Sequence, residues 1–166
     1  MDYLSGKKKE RAESFFLLCA DIALNSICYR AKGGSVIVRD QEIIGRGFNS
    51  PPNGITLDHC IKEELPLNFK SDRTCCVHAE QRAIIDALIK NPKKIDGSEI
   101  YYVRLNEQGK MAFAGDPYCT ICSKLALDVG IAHFLLWHES GIGKYDTQDY
   151  YWRSFKLANR LLTPKK

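Results

Sequence analysis

The sequence predicts a single α/β domain, and two observations predict it. Apolar residues alternate along the chain between helical and strand spacing, and the length suits one core. At 166 residues there is room for one sizeable core and none for a second folded unit. One domain over 1–166 is expected, with 1–7 frayed.

The elements follow in order. From Lys8 onward Phe15, Leu18, Cys19, Ile22 and Ala23 recur at helical spacing, which predicts an amphipathic helix ending near Cys28. Gly33-Gly34 breaks it. Ser35-Val36-Ile37-Val38 and Glu42-Ile43-Ile44-Gly45-Arg46-Gly47, around Asp40-Gln41, predict a β-hairpin. Asn49-Ser50-Pro51-Pro52-Asn53-Gly54 is loop, because prolines and glycine cannot continue a strand and Asn tolerates turn geometry. Residues 56–74 are polar and weakly patterned. From His78 the run Ala79, Ala83, Ile84, Ala87, Leu88 predicts a helix that stops near Asn91-Pro92. Ile100-Tyr101-Tyr102-Val103 reads as a third strand and 106–110 as a turn. A helix from the Cys119 region stops at Gly130, and Ala132-His133-Phe134-Leu135-Leu136-Trp137 reads as a fourth strand with His133 at its core or edge. Residues 146–161 look helical, with Tyr150, Tyr151, Phe155, Leu157 and Leu161 as the apolar set. No further strand is evident after the fourth.

Composition narrows the function classes. The apolar stretch at 15–24 contains Asp21 and is too short to span a bilayer. It also lacks the form of a secretory leader, since acids precede it and no small-residue cleavage site closes it. Seven cysteines, an odd number at low density, suit a reducing compartment where thiols serve metals and cores, so a cytoplasmic location is expected. A net charge of +4 tolerates an anionic small molecule and falls short of a dedicated nucleic-acid binder.

The chemistry concentrates in Cys76-Val77-His78-Ala79-Glu80 and Pro117-Tyr118-Cys119-Thr120-Ile121-Cys122. One imidazole and two thiols suit Zn²⁺, and three protein ligands leave the fourth position open, as in catalytic sites. Cys119 and Cys122 stand at i and i+3, so one helical turn presents both sulfurs to a point, and a helix N-terminus favours thiolate. Glu80, two residues past His78, reaches such a site without having to ligate; it is a candidate proton shuttle. Two other readings stay open. Cys76 can join His78, Cys119 and Cys122 in a closed structural site, or all of these can be unligated core residues.

The two motifs resemble the zinc-dependent cytidine and deoxycytidylate deaminase superfamily, whose pattern is H-x-E…P-C-x-x-C. Arg46-Gly47-Phe48-Asn49-Ser50-Pro51-Pro52-Asn53-Gly54 looks like the family's substrate loop, and Ser123-Lys124-Leu125-Ala126-Leu127-Asp128-Val129-Gly130-Ile131 like the segment after its cysteine pair. The similarity runs with gaps from about residue 35 to about residue 156, and the deoxycytidylate deaminases look most similar. It implies a three-layer α/β/α sandwich with a mixed sheet in the order 2-1-3-4. It implies Zn²⁺ on His78, Cys119 and Cys122, Glu80 as proton shuttle, and hydrolytic deamination of a cytosine nucleotide or nucleoside with release of ammonia. By the same resemblance Asn49 contacts the substrate, the backbone of Ala79 or Cys119 steadies the tetrahedral intermediate, and the protein is a homo-oligomer.

The chain also departs from the pattern. Tyr118 is inserted between Pro117 and the first cysteine, where it either stacks on a base or fills a gap beside 111–116. Arg82 replaces the Asn that deoxycytidylate enzymes carry two positions past the glutamate; it either meets a phosphate or faces solvent. The insertions at 56–75 and 106–116 are expected near the active-site face. Some relatives hold a second, structural zinc in the first of these, where Cys60, Cys75 and His59 offer three ligands and no evident fourth. Two alternatives have to be separated from the leading one: a nucleic-acid base deaminase of the tRNA adenosine kind, and a non-catalytic zinc-stabilised binding module.

Overall fold

The computed structural model describes residues 1–64 and 75–160, apart from the side chains of residues 62 and 157–160. The 56–75 insertion falls partly outside these, as do Leu161 and the side chain of Leu157. The elements are β1 (Asp2–Tyr3), α1 (Gly6–Ala23), β2 (Gly33–Arg39), β3 (Glu42–Phe48), α2 (Ala79–Lys90), β4 (Glu99–Leu105), β5 (Met111–Ala112), α3 (Thr120–Asp128), β6 (His133–His138), β7 (Gly141–Asp146) and α4 (Thr147–Arg160).

The sheet runs β1-β7-β6-β4-β2-β3, with β5 beside β4. Its β3-β2-β4-β6 part is the expected order. The β4–β6 pair is parallel and the others are antiparallel, so the sheet is mixed as expected. Side chains alternate across the strands and build two cores. Ile37, Ile44, Ile100 and Phe134 meet Ala83 and Ile84 of α2, Ala126 of α3 and Tyr150 of α4 on one face. Val36, Val38, Tyr101 and Leu135 meet Ala12, Phe16 and Cys19 of α1 on the other. The outcome is the three-layer α/β/α sandwich.

Three readings of the sequence are corrected here. A further strand does exist: β7 pairs with β6 from His138↔Gly141 to His133↔Asp146. Its sequence, GIGKYD, carries little apolar alternation, and hairpin pairing rather than propensity makes it a strand. The lead-in is not frayed either, because Asp2 and Tyr3 pair with Lys144 and Gly143 and Leu4 N donates to Ile142 O at 2.9 Å. Those bonds satisfy the open edge of β7. Finally, α1 ends at Ala23, short of Cys28, and the chain leaves it so that the Ser26 hydroxyl donates to Asn49 O at 2.6 Å.

Two glycines of β3 set where α2 lies. A Cβ at Gly45 would stand 2.3 Å from Ala83 O, and one at Gly47 would stand 2.3 Å from Ala79 O and 2.4 Å from Ala83 N. These are helix backbone atoms that cannot turn aside. The helix therefore rests directly on the strand, and its first turn is held at the end of the sheet. Gly47→Ala is expected to cost about 1–3 kcal/mol by overpacking, or more if the helix must lift. Urea unfolding measures this; an unchanged midpoint would show that helix and strand are not in this contact.

Candidate active site

Two helix starts meet at one point. His78 is the N-cap of α2, its backbone N–H donating to Gln81 Oε1 at 3.1 Å, and Cys119 is the N-cap of α3, its sulfur accepting from Cys122 N at 3.4 Å. His78 Nδ1 lies 3.3 Å from Cys119 Sγ and 3.3 Å from Cys122 Sγ, and the sulfurs are 3.2 Å apart. Among the described residues this is the one group whose ligand atoms all lie within 4.8 Å of one another. Their mutual hydrogen bond holds the Cys119 thiol down to about 4 and pushes Cys122 up, so the pair shares one proton that a cation would displace. The helix N-termini favour thiolate over thiol, and a soft, partly ionised donor set of one imidazole and two sulfurs fits Zn²⁺.

Glu80 lies in the first turn of α2, 5% exposed, beside this cluster. Burial raises its carboxyl to about 7, with the charge on Cys119 adding to the rise and His78 opposing it. Both belong to a cavity of about 440 Å³ whose lining includes His78, Ala79, Glu80, Cys119, Tyr118 and Asn49. A larger cavity of about 520 Å³ holds Arg82 and Arg46 but neither the cluster nor Glu80, so the chemistry belongs to the smaller one.

The chain matches the family described as "Cytidine and deoxycytidylate deaminase zinc-binding region" over residues 9–137. It belongs to that family. Among curated relatives, the deoxycytidylate deaminase of Mycobacterium phage D29 is 29% identical over 136 residues, 77% of this chain and 94% of that protein. The deoxycytidylate deaminase of Saccharomyces cerevisiae is 32% identical over 97 residues, 51% of this chain and only 30% of the yeast protein. Among solved structures, the apo dCMP deaminase of cyanophage S-TIM5 aligns with a TM-score of 0.55 at 24% identity, covering 75% of this chain and 80% of that one. The cytidine deaminase of Burkholderia pseudomallei aligns at 0.55 and 14% identity, covering 83% and 94%. At these identities the structural likeness concerns the fold.

The other site expectations for this deaminase-family chain separate in space. Asn49 lines the cavity and also closes the β2–β3 junction: Oδ1 accepts from Gly33 N at 2.6 Å and Ser26 Oγ at 2.9 Å, and Nδ2 donates to Ala31 O at 2.8 Å. The second amide hydrogen has no partner among the described residues. Ala79 is buried, at the first turn of α2 where backbone N–H groups lack helical partners. Tyr118 lines the cavity and is 64% exposed, so it does not fill a core gap. Arg82 does not reach this cavity; its guanidinium donates to Pro51 O at 2.8 Å and Ser50 O at 3.4 Å.

Cys76 turns from the cluster toward other thiols. Its sulfur is 4.0 Å from Cys75, which is 3.9 Å from Cys60, and burial pushes the Cys76 thiol above its usual range, with Cys28 the next contributor. This geometry does not favour the closed four-ligand site. His59 pairs with Glu64 instead of joining Cys60 and Cys75.

Among the cavity-wall residues that reasoning from sequence did not assign to the site are Tyr102, Arg104, Phe113 and Tyr150. The first two were detectable, since Ile100, Tyr102 and Arg104 alternate along one face of β4. Phe113 belongs to the 106–116 segment, a hairpin that lays Met111–Ala112 along β4 with Arg104 opposite Ala112. Ala114 anchors it, donating its N–H to Trp137 O at 2.8 Å and lying with its carbonyl 2.9 Å from His138 Nδ1. A carbonyl only accepts, so Nδ1 carries the hydrogen, and Nε2 takes the Tyr145 hydroxyl at 2.8 Å.

Proposed function

We propose that this protein hydrolytically deaminates a cytosine nucleotide or nucleoside, with one zinc held by His78, Cys119 and Cys122. The observation that carries the reading is Glu80, a buried carboxyl in the same cavity as the cluster and outside its ligand set. Zinc, when bound there, supplies Lewis acidity for activating water.

The chain's own groups manage the protons. Glu80 takes a proton from the attacking water as the new C–O bond forms at the amine-bearing carbon, and delivers it to the adjacent ring nitrogen. It then carries a proton to the leaving amine as the C–N bond breaks, so water and cytosine become uracil and ammonia. Its raised carboxyl suits both tasks near neutral pH. The Ala79 amide and the remaining Asn49 hydrogen are donors for the ring's oxygen and the tetrahedral carbon's substituents. A homo-oligomer in the reducing cytoplasm completes the reading. No disulfide joins any of the seven cysteines, and Ile85 and Ile89 present exposed apolar surface on α2; light scattering checks the mass.

Ammonia release from the purified protein across cytosine, adenine and guanine nucleosides and nucleotides tests the activity. Turnover of cytosine compounds is expected, and release from adenine substrates alone would overturn the assignment. Tyr118 offers a flat face beside Cys119 for stacking on the base. Tyr118→Ala is expected to weaken kcat/KM by the ~1–3 kcal/mol of a lost base stack, with melting nearly unchanged because the ring is exposed. A lower melting temperature with normal kinetics per folded molecule would remove Tyr118 from the site.

A further inference from the structure

Membership of the family leaves open whether the substrate is a nucleoside or carries a phosphate, and the cavity wall bears on that choice. Along one face of β4 the side chains of Ile100, Tyr102 and Arg104 stand in a row. Ile100 is fully buried beneath the helices and Tyr102 packs beside that core. The row then runs out from under them, so Arg104 is exposed and forms part of the cavity wall. Its cross-strand neighbours are Gly33 on β2 and Ala112 on β5. Both are among the smallest residues: the space over Gly33 is taken by the Tyr102 ring and Asn49 Oδ1, and Ala112 lines the cavity with Arg104. Arg104 is the sole Lys or Arg among the described residues lining this cavity, and no hydrogen bond or ion pair among the described residues occupies it. The acidic groups sharing the wall are Glu80 and Asp116.

We propose that Arg104 is the specificity-determining residue that recognises a phosphomonoester on the substrate, making the substrate a nucleotide. This rests on the deaminase reading above for the rest of the molecule. A guanidinium presents two parallel N–H donors that match phosphate oxygens, and one not already committed to a carboxylate is free to do so. Arg104 is exposed at the cavity wall, and among the described residues neither burial nor an ion pair accounts for a cation there. Arg82, which the sequence suggested for this task, is engaged by backbone carbonyls elsewhere.

The test uses the full chain, its Arg104→Gln and Arg104→Lys variants, and two probes, deoxycytidine 5′-monophosphate and deoxycytidine. Arg104→Gln is expected to lower kcat/KM for the monophosphate by about 10- to 100-fold, mainly through KM, the loss typical of a charged hydrogen bond. Deoxycytidine is expected to lose at least tenfold less, and Arg104→Lys to recover part of the difference by restoring the charge without the fork. Equal losses for both substrates, or none for the monophosphate, would overturn the proposal. If the wild type turns over neither compound, the cytosine panel above decides the deaminase reading, and calorimetric binding decides about Arg104 independently. Weaker monophosphate binding in Arg104→Gln at unchanged melting temperature upholds it; equal affinities, or no binding by the wild type, reject it.

Discussion

Glu80→Ala is expected to bind zinc as the wild type does and to lose activity by about 10²- to 10⁴-fold, the range for a positioned proton-transfer group. The reason is its location: a carboxyl 5% exposed in the cavity of the His78 cluster, yet outside the set of ligand atoms. The alternative is a non-catalytic binding module, in which this carboxyl would be only a buried acid. That alternative predicts a different outcome, because removing an acid whose ionised form is desolvated relieves a cost. A variant with full zinc content, unchanged or higher stability and wild-type ammonia release would remove Glu80 from the chemistry, and a wild type that releases no ammonia would end the deaminase assignment. Zinc measured by atomic emission on the same preparations separates loss of chemistry from loss of metal.

Cys122→Ala is expected to bring zinc from about one ion per chain to nearly none after dialysis, and activity to background, because two ligands cannot hold a tetrahedral ion. Cys122 is fully buried in the first turn of α3, so its replacement by alanine also removes one sulfur from a packed site. Packing alone accounts for a small loss, on the order of 1 kcal/mol, and it acts on apo and metal-loaded protein alike. The larger part is the binding free energy of the ion, present only when zinc is. Melting the wild type and the variant with and without chelator distinguishes the two: the gap between them should shrink sharply in chelator. Cys76→Ser, by contrast, is expected to keep both zinc and activity, since Cys76 lies beside Cys75 and outside the cluster. Stoichiometric zinc in Cys122→Ala, or zinc lost as fully from Cys76→Ser, would refute the three-ligand site.

Much of this site was legible because its spacing is helical and local. His78 and Glu80 flank a helix start, and Cys119 and Cys122 share one turn, so backbone geometry alone brings each pair together. Arg82 follows the same logic in reverse: at about 100° per residue it lies roughly 200° around α2 from Glu80, which turns it from the cavity toward the Pro51 carbonyl.

Local pattern by itself determined the helices, the β2–β3 hairpin, the central strands and the candidate ligand cluster. Those follow from periodicity and from side-chain chemistry, which neighbouring residues settle among themselves. Tertiary structure alone decided the rest. The β7 strand exists through pairing with β6, and β1 through pairing with β7, although neither segment carries a strong strand pattern. Asn49 became a junction between β2, β3 and the cavity through partners 16 to 23 residues away. Two helix starts 41 residues apart, at His78 and Cys119, came within 3.3 Å because Gly45 and Gly47 let α2 lie on the sheet. A strand's period of two says which residues share a face, but where that face leaves the core depends on how far the covering helices reach. Arg104 is at the cavity for that reason.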